Sequence, residues 1–309
     1  QSANFPPSLG SYYPTYINYG SHDNRGFELV LSHNNQIRDF TYRVRGNLSW
    51  ARNKVLKMTE DANVPDYKRA TGGPMGRYWG FVADGLFQSE EEIAHSAVFG
   101  PTLPGDIKLK DINGDGKITW DQDMVPIGRS NTPEMMFGLN LGAEWKGLDL
   151  NMFFDGNFGN KIYNAQYYST VYNESTGNQY AERMNSWTEN NHSDIPRCLF
   201  GTSDPNGTNW GYTDRWLENG SFLRLKTLEL GYTLPKVWVS KAGLQNVRVY
   251  TAMENLFTIP DYKGYTPDLG MVDADGAGTS GGSGVMTRGC DDGRYPMART
   301  ITFGLQVNF

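Results

Sequence analysis

Seven stretches of the chain alternate apolar and polar residues with period 2, and the connections between them alternate strictly between short and long. Residues 137–145 place Phe137, Leu139, Leu141, Ala143 and Trp145 on one face and Gly138, Asn140, Gly142 and Glu144 on the other. Across Lys146-Gly147 the pattern resumes with Leu148, Leu150, Met152 and Phe154 against Asp149, Asn151 and Asp155, so the two runs predict a hairpin. Residues 40–50, 247–254 and 300–309 repeat the alternation, the last carrying Ile301, Phe303, Leu305, Val307 and Phe309 on its apolar face. Two runs are less clean, 26–33 and 221–235, and in the second Leu228, Leu230, Tyr232 and Leu234 share a parity with Arg224 and Lys226. A β-bulge accounts for such a phase change.

Connections 34–39, 146–147 and 236–245 are short, while 54–132, 159–220 and 257–297 are long and rich in Gly, Asn, Asp, Pro and aromatics. A chain that runs down and up through a bilayer, with turns on one side and loops on the other, has this form. No run of ~18 apolar residues is present, which excludes a transmembrane helix but not a transmembrane β-barrel, whose strands of ~9–11 residues show only weak alternation. Aromatics at 13% and 36 Gly against 20% charged residues suit strands and turns. The parity of connections makes the last strand run inward, leaving Phe309 periplasmic. It also assigns 77–87, although strand-like, to the first long excursion.

Short helices are expected at 90–95, 180–190 and 236–242, and the GAGTSGGSG stretch at 276–284 reads as a flexible loop tip. The net charge of −6 argues against a nucleic-acid partner. Cys198 and Cys290 allow one disulfide or two free thiols. The chain opens at Gln1 without an initiator Met or an apolar signal core, as a mature product or a piece of something longer would.

Several stretches resemble the C-terminal part of SusC/RagA-type TonB-dependent outer-membrane transporters of Bacteroidetes-like bacteria. They are NRGFEL from Asn24, PGDIKLKDINGDGKI from Pro104, Ile127-Gly128, DRWLENGSFLRLKTLELGYTLP from Asp214, Glu254-Asn255-Leu256-Phe257 and YPMARTITFGLQVNF from Tyr295. The resemblance implies an all-β fold: an antiparallel transmembrane barrel segment, about the last seven strands of a 22-stranded barrel, with residues 1–309 forming the C-terminal portion. The stretches 54–132, 159–220 and 257–297 would then be extracellular. It further implies an outer-membrane location and import of a glycan or peptide, with no covalent chemistry. The implied partners are a SusD-like lipoprotein, the plug and remaining strands of the transporter, TonB through that missing part, and lipopolysaccharide around the barrel.

Thr302, Gly304, Val307 and Phe309 resemble the C-terminal signal read by the outer-membrane assembly machinery, an edge strand with one apolar face and a terminal aromatic. Asp111, Asn113 and Asp115, followed by Gly116, match positions 1, 3, 5 and 6 of an EF-hand-like loop, with the Lys117 carbonyl as a further oxygen. Position 12 is Gln122, where the resembling family usually places an Asp; the resemblance therefore implies that Asp123 moves in by a one-residue bulge and completes a structural Ca²⁺ or Mg²⁺ site. The alternative is a metal-free loop of Asx turns. No flanking helix is expected.

Tyr78, Trp79, Tyr168, Trp210 and Trp216, in the long connections, could stack on sugar rings, or pack the loops on one another. Trp50, Trp145, Tyr232 and Phe309 read as girdle aromatics at strand ends. Arg43, Arg45, Asn47, Asn140, Glu144, Asp149, Asn151, Asp155, Arg248 and Glu254 fall on the polar faces and would line the lumen or contact the plug. His22, His33, His95 and His192 sit apart without metal spacing, and Glu90, Glu91 and Glu92 read as a helix start rather than an acid–base pair, so no enzymatic activity is expected. The alternatives are a soluble carbohydrate-binding sandwich with a Ca²⁺ loop and a fragment of a secreted glycosidase.

Overall fold

The computed structural model describes residues 2–3, 15–16, 18–172, 178–198, 212–269 and 289–309, with backbone only for 2–3, 15–16 and Tyr172. Seven long strands form one antiparallel sheet: β1 Ser21–Ile37, β2 Phe40–Lys57, β3 Met135–Trp145, β4 Leu148–Phe158, β5 Phe222–Thr233, β6 Asn246–Pro260 and β7 Thr300–Asn308. Their order in the sheet is their order in the chain, a simple meander with β1 and β7 at its two edges. Consecutive connections therefore fall at opposite ends, and all three long ones share one end.

Register carries the alternation across the whole sheet. Tyr42 pairs with Ala143, Leu141 with Met152, Leu150 with Leu230, Leu230 with Thr251, and Val249 with Leu305, giving one apolar face. Arg45 pairs with Asn140, Glu144 with Asp149, Asn151 with Glu229, and Tyr250 with Gly304, giving one polar face. A one-residue slip at any pair would exchange the faces, so the pattern itself fixes the register. Lys146 and Gly147 both take positive φ, as a two-residue hairpin turn with right-handed strand twist requires.

The expected bulge sits at Lys226, skipped in the pairing of Leu225 with Phe154 and of Thr227 with Phe153. On β6 the same irregularity is absorbed by Asn255, in the left-handed region, which lets Arg224 face Thr258 on the polar side. Two expectations change. The first hairpin is longer than the alternation suggested: β1 and β2 have 17 and 18 residues joined by Arg38-Asp39 alone, roughly 55 Å at ~3.3 Å per residue. Trp50 is consequently mid-strand rather than at a strand end, stacked on Phe27 with 5.8 Å between ring centroids.

The sheet neither closes on itself nor packs on a second one; the other sheets among the described residues have two or three strands each. This excludes the soluble sandwich for the described chain. The three long connections instead fold together into a cap at one end of the sheet. Phe81, Leu86, Ile107, Leu109, Ile118, Trp187 and Trp216 form its hydrophobic core. Residues 77–87 contribute the short strands Arg77–Gly80 and Ala83–Leu86, as expected of an excursion. The second and third connections are knit by Lys161–Asn164, which pairs antiparallel with Leu217–Asn219 and parallel with Cys290–Asp291. The Phe81 amide donates to the Tyr212 carbonyl, which joins the first connection to the second.

Helices are short: Glu90–Ala94, Ala181–Asn185 as a 3₁₀ turn, and Lys236–Val239 followed by Ser240–Ala242. Ser89 caps the first by accepting from the Glu92 amide, while the Glu92 carboxylate accepts from the Gln88 amide, which makes Glu92 part of a helix start. Both cysteines are free thiols. Residues 276–284 lie outside the described residues.

Candidate functional site

The polar face of the sheet gathers charge. Arg248 on β6 donates to Asp149 on β4 and to Glu229 on β5, so one guanidinium ties three neighbouring strands. Arg43 pairs with Glu144 across β2 and β3, and Lys226 lies 3.6 Å from Asp155. Arg45 and Asn140 stand opposite each other beside a groove of about 600 Å³, which also takes in Asn151, Thr227 and Glu229. Asp155 Oδ1 and Asn157 Oδ1 on the same face are buried with no hydrogen-bond partner among the described residues. A surface of paired charges with unsatisfied acceptors suits a polar protein neighbour better than hydrocarbon.

In the cap, a second cavity of about 420 Å³ is lined by Tyr167, Glu182, Asp194, Ile195, Arg215, Trp216 and Lys263. The Tyr167 hydroxyl donates to Glu182, and Lys263 Nζ lies 4.9 Å from the centre of the Tyr167 ring. Arg215 donates to the Asp194 carboxylate at 3.2 Å. Burial, with the adjacent Glu182, holds the Tyr167 hydroxyl above its ordinary pKa. Glu182 and Lys263 carry no periodicity or motif, and Arg215 lies in the DRWLENG stretch without a signal of its role; only their topology brings the three together.

The sequence-derived contact residues divide differently. Trp216 is 2% exposed and packs against Tyr167 and Tyr168, so its ring is a core element that only borders the cavity and offers no open face for stacking. Tyr78 is partly buried and its hydroxyl donates to the carbonyls of Lys161 and Gly289, making it a strut between connections. Burial pushes its pKa up. Trp79 and Tyr168 are half-buried, and Trp210 lies outside the described residues. The thiol of Cys290, in the same neighbourhood, is pushed up to about 11 by burial first and the nearby Asp292 and Asp291 second, which leaves it inert.

The acidic loop closes on itself. Asp111 accepts from the amides of Gly114 and Gly116 at 2.7 and 2.8 Å, and Asp115 accepts from Asn113 Nδ2 and the Lys117 amide. Asp123 does return to the loop, but through a helical turn, Trp120–Asp123 capped by Thr119, rather than a bulge. Fully buried, it accepts from the Ile112 and Thr119 amides at 2.9 and 2.8 Å and staples the loop ends together. The expectation of no flanking helix fails by this one turn. Among the described residues no three His, Cys, Asp or Glu side chains come together as a metal-ligating group. Asp111, Asn113, Asp115, Lys117 and Asp123 thus form a loop held by its own amides.

Of the terminal residues, Thr302 and Gly304 lie on the polar face of β7, with Val307 and Phe309 on the apolar one. A Cβ at Gly304 would clash with the Tyr250 ring, so the glycine has a local packing reason of its own. The histidines are dispersed: His33 shares a hydrogen bond with the Tyr42 hydroxyl, His95 with the Glu91 carbonyl and His192 with Gln88.

No family model matches the chain. It is 32% identical over 305 residues to TonB-dependent receptor P26 and 30% identical over 307 residues to TonB-dependent receptor P3, both of Formosa agariphila, covering 94% of this chain and 30% and 29% of those proteins. To TonB-dependent receptor SusC of Bacteroides thetaiotaomicron it is 24% identical, covering 94% of this chain and 27% of that one. Among solved structures it is similar to the RagAB peptide transporter, with a TM-score of 0.71 at 23% identity, over 100% of this chain and 32% of that one. The RagAB peptide importer in its closed-closed state gives 0.69 at 25% identity, over 99% and 31%.

Proposed function

From a chain that belongs to the SusC/RagA-type TonB-dependent outer-membrane transporters, and spans about three tenths of the length of the curated relatives it matches, we propose that it supplies one wall of a nutrient-importing barrel and part of its extracellular rim. The observation that carries this reading is the two-faced, open meander. Both edge strands, β1 and β7, leave backbone groups unpaired, and unpaired groups in lipid cost several kcal/mol each by order of magnitude. Further strands therefore complete the sheet, in a barrel of about 22.

In this reading the apolar face meets lipid, with lipopolysaccharide around its outer half, and the polar face meets the plug, whose removal by TonB opens the path. Phe309 is periplasmic, and Thr302, Gly304, Val307 and Phe309 serve as the assembly signal. The cap is extracellular and meets a SusD-like lipoprotein as lid, with cargo, a glycan or a peptide, between them. Trp79, Tyr168 and the cavity around Tyr167 and Lys263 are its closest approach to cargo.

The test is uptake by cells carrying the complete transporter. Arg248→Ala should leave the protein in the outer-membrane fraction and alter uptake, because Asp149 and Glu229 lose their shared partner on the inner wall. Recovery of the wild-type protein in a detergent-free soluble fraction would sink the reading.

A further inference from the structure

Two of the three short connections use two residues, Arg38-Asp39 and Lys146-Gly147, but the third runs over 234–245 and contains the helix Lys236–Val239. It is firmly held. The Leu234 amide donates to the Val247 carbonyl, that of Leu244 to Val239, and that of Gln245 to Asn308. Within the helix Val239 is 5% exposed, whereas Val237 and Trp238 are 70% and 63% exposed. The helix packs against β6, whose buried residue is Val247, at 8%, next to the turn on the apolar face, while Val249, two residues on along the same face, is 49% exposed. The turn has therefore folded onto the outer, apolar side of the sheet and presents a tryptophan and a valine beyond it.

Charge at this end of the sheet departs from that of the chain. The short connections carry Arg38, Lys146, Lys236 and Lys241 against Asp39 alone, in a protein with net charge −6. Exposed outer-face residues adjoin the turn at the same level: Phe40, Trp145, Leu148 and Phe309, with Lys146 5.5 Å from the Trp145 ring. An apolar turn continuous with a lipid-facing band, ringed by cations whose stems can lie along hydrocarbon, is built for the boundary between acyl chains and anionic headgroups.

We propose that the turn 234–245 is a membrane anchor: Trp238 and Val237 insert at the acyl boundary of the inner leaflet, and Lys236 and Lys241 hold the phosphate of an anionic glycerophospholipid. The proposal rests on the membrane reading of the sheet and adds a partner to it.

The complete transporter in nanodiscs tests it. The fluorescence difference between wild type and Trp238→Phe isolates the Trp238 signal, which should lose most of its intensity in acyl-brominated phosphatidylcholine and resist iodide in the water. Quenching by iodide and not by bromine overturns the anchor. Leu305→Trp, in the middle of the apolar face, separates the two readings. If its added signal is also untouched by bromine, the membrane reading itself fails; if it is quenched while Trp238 is not, only the anchor fails. Native mass spectrometry should find phosphatidylglycerol retained over phosphatidylcholine, with the preference falling roughly thirtyfold in Lys236→Gln/Lys241→Gln, given ~1 kcal/mol for each of the two basic residues near an anionic surface. A wild-type preference no greater than that of the double variant overturns the assignment of the lysines.

Discussion

Phe81 in the cap is fully buried, and Phe303 in the sheet is 82% exposed. The two regions use the same apolar residue types and bury them oppositely. The cap closes a core from pieces far apart in sequence, with Phe81, Trp187 and Trp216 drawn from two different connections. The sheet leaves Leu31, Val249 and Leu305 exposed on a face that, among the described residues, only the turn 234–245 overlies at one end. One region is folded against water and the other against hydrocarbon, so the hydrophobic effect organises the first, and backbone pairing with lipid exclusion organises the second.

This difference can be broken from either side. Phe81→Ala should cost about 3–5 kcal/mol of cap stability, as a fully buried aromatic does when truncated. Limited proteolysis should then cut the long connections while the heat-modifiable barrel band on a gel persists. Loss of both together would mean that the cap and sheet fold as one unit. From the other side, Leu141→Arg places a charge in the middle of the apolar face and should cost about 2–4 kcal/mol, abolishing the barrel band. Met184→Arg, on the cap surface, should shift stability by under about 0.5 kcal/mol. Equal tolerance at both positions would remove the distinction between the two solvents.

A smaller effect concerns how the cap holds its acidic loop. Asp123→Ala leaves the Ile112 and Thr119 amides without their acceptor, at about 1–3 kcal/mol by the usual cost of unsatisfied burial. Hydrogen exchange should quicken across 111–123 and leave β1 to β7 unchanged.

The contrast between regions also explains what the sequence made legible. In the sheet, one face meets apolar surroundings and the other polar ones, so period 2 survives in Phe137 to Trp145 and in Ile301 to Phe309, and even the bulge at Lys226 shows as a change of phase. Where β1 and β2 run past the partner strand β3, residues such as Asp23, Asn24, Arg25, Asn53 and Lys54 face polar surroundings on both sides. Alternation ends there although pairing does not, so the period-2 pattern marks a shorter hairpin than the one that forms. The cap has no period to read. Trp216 looks like a binding aromatic until the burial imposed by Tyr167 and Tyr168 is seen, and the joining of Phe81 to Tyr212 spans 131 residues.

Acidification tests the cap alone. Glu92 is held below its ordinary value of 4.5 by the Gln88 amide first and by Lys108 second. A depressed carboxylate contributes stability that is present above 4.5 and lost as pH falls toward its lowered value. Exchange of the 88–95 amides should therefore quicken, relative to the intrinsic rate, as pH drops below 4.5. Glu92→Gln should remove most of that dependence, and an unchanged profile in the variant would show that another group controls the opening.

The smallest expected effect separates two accounts of the loop 111–123. Its carboxylate oxygens on Asp111 and Asp123 already accept amides, and Asp115 is exposed, held below its ordinary pKa by Asn113 first and the Lys117 amide second. If those hydrogen bonds define the loop, Asp115→Ala loosens only its tip, and added Ca²⁺ leaves the exchange of 111–119 as it was. If hard oxygens of Asp111, Asn113, Asp115, the Lys117 carbonyl and Asp123 instead close on a cation, Ca²⁺ or Mg²⁺ slows exchange across the whole loop, chelation reverses it, and Asp115→Ala removes the response. The amide-held account expects the first result, because a cation would have to draw Asp123 off the two backbone amides that it staples.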